Sequence, residues 1–207
     1  MAYDVDRQPG AWVSAQAARR QRLAWLGIAV LFLLTGVFLA VTLGHRGSIA
    51  GSFAFVAFVL GVRPYANRFV DDLVHWLRGA RAERSVGETL NELRREGWFL
   101  LHDVEQTGEG NIDHIAAGPT GVFMIETKER RYQQGHLLKA RRQAAKLHDE
   151  LGVWVTPVIC VHERRGDPFR TEKVWVVPQQ HLLHWLRTQH ERPVPFERLA
   201  QYADRIS

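Results

Sequence analysis

Residues 110–128 read Gly110-Asn111-Ile112-Asp113-His114-Ile115-Ala116-Ala117-Gly118-Pro119-Thr120-Gly121-Val122-Phe123-Met124-Ile125-Glu126-Thr127-Lys128. The centre of this stretch, Gly118-Pro119-Thr120-Gly121, has proline and glycine where a tight reversal needs them. Its arms, Ile112–Ala117 and Val122–Lys128, therefore form an antiparallel hairpin. The run Val122-Phe123-Met124-Ile125 is continuously apolar, which marks a strand covered on both faces. Side chains on a strand repeat with period two, so Glu126 and Lys128 project from one face while Thr127 points away. Asp113 lies five residues before Gly118 and Glu126 five residues after Gly121, so antiparallel pairing brings the two carboxylates together. An E-x-K pair alone is usually a surface feature. At the end of a buried strand its desolvation has to be offset by mutual pairing or by a metal. Two adjacent carboxylates with room for water suit Mg²⁺ or Mn²⁺. Such an ion can activate a bound water and neutralise charge on a phosphate, with Lys128 positioned to stabilise the transition state.

Outward from the hairpin, the pattern gives a helix over Ser85–Glu96, with Ser85 as N-cap and Gly97 as stop. A strand Trp98–Val104 precedes the hairpin. A helix His136–Leu151, a buried strand Val153–Val161, a short strand Lys173–Val177 and a helix Gln180–Arg187 follow it. The order is αβββαβ with a β-α extension: an α/β domain whose mixed sheet is flanked by helices, over residues 85–207.

The N-terminal third has a different composition. Leu23–Leu43 carries no charged residue over 21 positions, which at ~1.5 Å per residue matches the ~30 Å hydrocarbon core of a bilayer. A second uncharged stretch runs from Ser48 to Val62. Two transmembrane helices forming a hairpin over residues 23–62 are expected, between an N-terminal segment 1–22 and a juxtamembrane linker 63–84. Arg7, Arg19, Arg20 and Arg22 precede the first span, Arg63 and Arg68 follow the second, and the turn between them offers only Arg46. This bias places both termini and the α/β domain in the cytoplasm of an integral membrane protein. The formal charge of +5 suits anionic partners, whether nucleic acid or an anionic leaflet. The single cysteine, Cys160, sits in an apolar run and excludes an intrachain disulfide. No Walker-type loop or serine elbow is present, and His181 and His184 lack the partners of a zinc set. His114, adjacent to Asp113, is expected to point to the other sheet face and pack in the core.

The segment GNIDHIAAGPTGVFMIETK, with Gly87-Glu88 upstream, resembles the NERD domain, the nuclease-related domain of the PD-(D/E)XK phosphodiesterase superfamily. The resemblance covers roughly Arg81 to Arg187 and implies a restriction-endonuclease-like core and magnesium-dependent DNA cleavage. It assigns Asp113, Glu126 and Glu88 to the metal, Lys128 to catalysis, and Glu88 and Gln143 to supporting positions in the catalytic set. After the E-T-K triplet the family often continues with an aromatic residue and a nearby glycine, whereas here Glu129–Gln134 intervene before Gly135. Arg130, Arg131, Lys139, Arg141, Arg142 and Lys146 form a basic group that can meet a phosphate backbone, DNA before RNA. The alternative is a catalytically inactive module of the same fold that binds nucleic acid or a protein at the membrane.

Overall fold

The computed structural model describes residues 77–106, 108, 110–191 and 196–206, with scattered positions before 77. The chain forms two compact units, one of Val13–Leu77 and one that includes Arg78–Ser207. The predicted spans and linker fall largely outside the described residues; no described helix is long and apolar enough to cross a membrane.

Helix α1 spans residues 77–91 and tightens into a 3-10 turn, Glu92–Glu96. Gly97, in a left-handed conformation at φ 82°, closes it as expected. The predicted helix start at Ser85 is corrected, because Ser85 lies inside α1 and its carbonyl accepts the Thr89 hydroxyl at 2.9 Å. The sheet is built from β1 (Phe99–Gln106), β2 (Gly110–Gly118), β3 (Gly121–Lys128), β4 (Val155–Val161), β5 (Phe169–Thr171) and β6 (Val174–Pro178). Helices α2 (Gln134–Leu151), α3 (Gln179–Arg187) and α4 (Phe196–Ile206) complete the described elements.

Strand order is β1-β2-β3-β4-β6-β5. The first three strands form an antiparallel meander, while β3/β4 and β4/β6 pair in parallel. This mixed sheet flanked by helices is the expected αβββαβ order, with β5 and α4 added. One face packs Leu137, Ala140, Ala144 and Leu147 of α2, with Leu199 and Tyr202 of α4. The other packs Val86 and Leu90 of α1 and Leu182, Trp185 and Leu186 of α3. Strands β3 and β4 lie between the two layers, which explains their unbroken apolar runs. The hairpin turn is tight for a packing reason: a Cβ added at Gly118 would stand 2.2 Å from the Trp98 ring.

Candidate metal and catalytic site

The β2/β3 ladder runs from Gly118↔Gly121 to His114↔Ile125 and stops there. The next position in that register belongs to Asp113 and Glu126, so the two acids stand where the strands part. Beyond that point β3 stays pinned by β4, through Glu126↔Ile159 to Lys128↔Val161. The Thr127 amide donates to Oδ2 of Asp113 at 2.6 Å, so a side chain bridges the strands where the ladder has ended. Glu126 is buried, and Lys128 and Asp113 are partly exposed, which leaves the opening accessible from the strand end.

Lys128 Nζ donates to Glu126 Oε1 at 2.7 Å and to the Thr127 carbonyl at 2.9 Å. A second ammonium, on Lys139 of α2, donates to Oε1 and Oε2 of Glu126, both at 3.1 Å, and approaches the Asn111 carbonyl at 3.3 Å. Lys139, expected on a solvated nucleic-acid-binding face, is thus a member of the site. Gln143, one turn further along α2, is fully buried and donates to the same Asn111 carbonyl at 2.8 Å. It steadies the chain two residues before Asp113. His136, in the first turn of α2, lies in the field of Lys128, Glu126 and Lys139; burial is the main cause holding its imidazole below the ordinary range.

The helix glutamate of the site is Glu83 rather than Glu88. Glu83, Val86, Gly87 and Leu90 follow the inward face of α1 at i, i+3, i+4 and i+7, and all are buried. Glu88, five residues on, lies about 140° further round the helix and is exposed. Glu88, expected as the helix carboxylate of the set, is therefore turned away from the face that carries Glu83. Asp103 enters from β1. The β1/β2 register passes from His102↔His114 to Val104↔Ile112, and between them Asp103 adopts φ 53° opposite Asp113. Asp103 is buried and hydrogen-bonds with Glu83. Four consecutive elements, α1, β1, β2 and β3, therefore each contribute one carboxyl.

Crowding shows in their proton affinities. Burial, then the charge of Asp113 and the hydrogen bond with Asp103, raise the Glu83 carboxyl to about 9. Burial and Glu126 raise Asp113 to about 7, against the opposing pull of Lys128, the Thr127 amide and Lys139. Burial pushes Glu126 upward too, yet Lys128 and Lys139 together outweigh it and leave its carboxyl below the ordinary range. Lys128 in turn is opposed by burial but held charged by Glu126 and Asp113.

On the α1 side of the sheet, the buried His102 and His114 rings meet Nδ1 to Nδ1 at 2.8 Å, and His102 Nε2 lies 3.3 Å from Asn91 Oδ1. Burial and Arg94 bring His102 down to about 4, while burial and His102 lower His114. The pair is neutral, one ring donating and the other accepting. His114 packs in the core as expected. Of the remaining basic residues, Arg130 pairs with Glu163 at 2.5 Å, whereas Arg131, Arg141 and Arg142 are exposed and Lys146 is half-buried.

The donor set fits a hard divalent cation by its chemistry: Asp113 and Glu126 are cross-strand neighbours, and Oε1 of the buried Glu83 has no hydrogen-bond partner among the described residues. Among those residues no three His, Cys, Asp or Glu side chains already enclose one point. Glu126 faces two ammonium groups instead. Asp113, Glu126 and Glu83 would hold the ion.

No curated protein matches the chain. A solved chain described as "Structure of EndoMS-dsDNA2 complex" is 15% identical, with 53% of this chain and 45% of that one covered and a TM-score of 0.29. This chain thus spans less than half of that one, and a likeness of this size carries no argument. Residues 78–162, which hold α1 through β4 and every side chain of the cluster, match the family described as NERD, the nuclease-related domain.

Proposed function

We propose that the chain is a membrane-anchored, divalent-metal-dependent nuclease that hydrolyses phosphodiester bonds of nucleic acid, DNA in preference to RNA, at the cytoplasmic face. The observation that carries this reading is the meeting of Asp113 and Glu126 just past the last β2/β3 pair, with Lys128 bonded to Glu126. Asp113, Glu126 and Glu83 would hold Mg²⁺ or Mn²⁺, which would supply charge neutralisation at the phosphate and a more acidic water. Lys128, partly exposed at the mouth, is placed to orient the attacking water and to stabilise negative charge developing on the phosphate. Gln143 and Lys139 hold the Asn111 carbonyl and so position the strand that carries Asp113.

The membrane anchor rests on the uncharged runs at 23–43 and 48–62 and on the arginines flanking them. Val30, Leu34, Val37 and Val41, all helical, are each more than half exposed, as apolar side chains that face lipid would be. Resistance to alkaline extraction of membranes carrying the full chain is the expected result, and release into the supernatant would refute the anchor.

Cleavage is tested with the purified full chain, Mg²⁺ and labelled duplex, single-stranded and RNA substrates. Asp113→Asn and Lys128→Met should each lower the rate by roughly 10² or more. Undiminished rates in both variants would exclude the assignment. One observation favours a second reading, an inactive binding module: both oxygens of Glu126 already face ammonium groups. That reading requires salt-sensitive binding that is indifferent to chelators, with no product.

A further inference from the structure

Beyond the carboxylate cluster, α2 borders a second concave feature. A cleft of about 200 Å³ is lined by Arg141, Ala144, Ala145 and His148 of α2, by Trp154, Val155 and Pro157 around the start of β4, and by Arg170 and Lys173. At 1.5 Å per residue its middle lies about 8 Å along the helix axis from Lys139. No carboxylate lines it, and Arg141, Arg170 and Lys173 are all exposed.

Trp154 is 57% exposed, which is unusual for so large an apolar ring. The ring is nevertheless held. Its Nε1 donates to Thr156 Oγ1 at 3.2 Å, and His148 meets it edge-on at 6.2 Å, itself fixed by a 2.6 Å contact between Nδ1 and the Val153 carbonyl. Lys173 reaches the cleft from the β5/β6 turn, where Glu172 and Lys173 take φ 46° and 65°. A two-residue turn with both φ positive ordinarily uses Asn and Gly. Keeping a lysine in that conformation is strain of the kind that accumulates at ligand-binding positions.

A fixed, exposed indole ringed by cations over an apolar floor matches what single-stranded nucleic acid needs: a stacking surface for a base, with positive groups for the flanking phosphates. We propose that this cleft is a nucleobase subsite for an unpaired strand of the substrate, the base stacking on Trp154 and Arg141, Arg170 and Lys173 receiving the phosphates. The inference rests on the nucleic-acid reading above and extends it to a preference for substrates with single-stranded character.

The test uses the full chain carrying Lys128→Met, in EDTA, with fluorescein-labelled strands of about twelve nucleotides read by anisotropy. The probes are a deoxythymidine strand, an abasic strand of equal length, and a duplex. Trp154→Ala should weaken the deoxythymidine strand by about fivefold or more and leave the abasic strand and the duplex unchanged, while Trp154→Phe should retain most of the affinity. Arg170→Ala with Lys173→Ala should weaken both single strands and reduce the slope of log affinity against log salt by roughly 1.4. An unchanged Trp154→Ala protein, or one that loses both strands equally, overturns the subsite; if metal-dependent cleavage persists in the Lys128-intact chain, the nuclease reading stands without it. A parent chain that binds none of the probes and cuts nothing overturns both.

Discussion

Replacing Glu83 by glutamine tests whether this residue, two residues before the expected helix start, belongs to the acid cluster. In the folded chain the Glu83 carboxyl holds its proton up to about 9, through burial and the neighbouring Asp113, Asp103 and Glu126 carboxyls. In the unfolded chain it releases that proton near the ordinary value of 4.5. Stability from this group is therefore complete below about 4.5 and declines as pH rises toward about 9, because only the unfolded state loses the proton in between. Each pH unit in that interval corresponds to at most about 1.4 kcal/mol, so the ceiling at pH 8 is roughly 5 kcal/mol. Relaxation and water entry reduce this, and about 1–3 kcal/mol is the expected loss.

Glutamine keeps the shape and the ability to donate to Asp103 but has no proton to release. Thermal unfolding of the full chain at low ionic strength, without divalent ions, should give Glu83→Gln and parent similar midpoints at pH 5 and a midpoint several degrees higher for the variant at pH 8. The comparison is made above pH 5 because Glu126, whose carboxyl is lowered by its lysines, adds a stability that disappears only as pH falls below the ordinary range. Asp113, raised to about 7, leaves part of the alkaline decline in place in the variant. A uniform destabilisation at both pH values, or a parent with no decline between them, would remove Glu83 from the cluster.

Lys139→Met should tighten Mn²⁺ binding roughly tenfold, measured calorimetrically without substrate, because removing a unit charge about 5 Å from a dication recovers at least ~1.5 kcal/mol even in water-like dielectric; weaker binding would show that Lys139 positions Glu126 for the ion rather than competing with it. Glu88→Gln, at an exposed position, should leave cleavage unchanged and stability within about 0.5 kcal/mol by denaturant unfolding. Gly118→Ala should cost about 1–3 kcal/mol in the same experiment, since the added methyl would meet the Trp98 ring.

Which of these residues the sequence could disclose follows from how each is held. Asp113, Glu126 and Lys128 were legible because one hairpin fixes them: strand alternation gives the face, and equal counts from Gly118 and Gly121 give the cross-strand pairing. Glu83 was not, because a helix face is known only once its phase is known. Starting the helix at Ser85 leaves Glu88 as the first acid, although the buried series Ala82, Val86, Leu90 and Leu93 carries the correct phase and extends it upstream. Asp103 escapes any alternation rule, since its φ of 53° breaks the pleat where it turns inward. Lys139 reads as a solvated charge until its long side chain is seen to reach Glu126 from the neighbouring layer. The three-residue strand β5 is too short for any period to register.

The residues that sequence reasoning passed over share one property: each is a charged group arriving from a separate element at a place where charge ought to be excluded. Burial rules treat Glu83 and Asp103 as surface residues, and those rules hold wherever stability alone decides. Here four carboxyls converge and, among the described residues, only Lys128 and Lys139 reach Glu126, so the cluster keeps protons at near-neutral pH that isolated carboxyls would have released. A divalent ion would relieve that crowding by replacing the retained protons with fixed charge. The same excess of acid that lowers the stability of the metal-free fold above pH 5 is therefore what would give it affinity for the metal, and the two should change together under mutation.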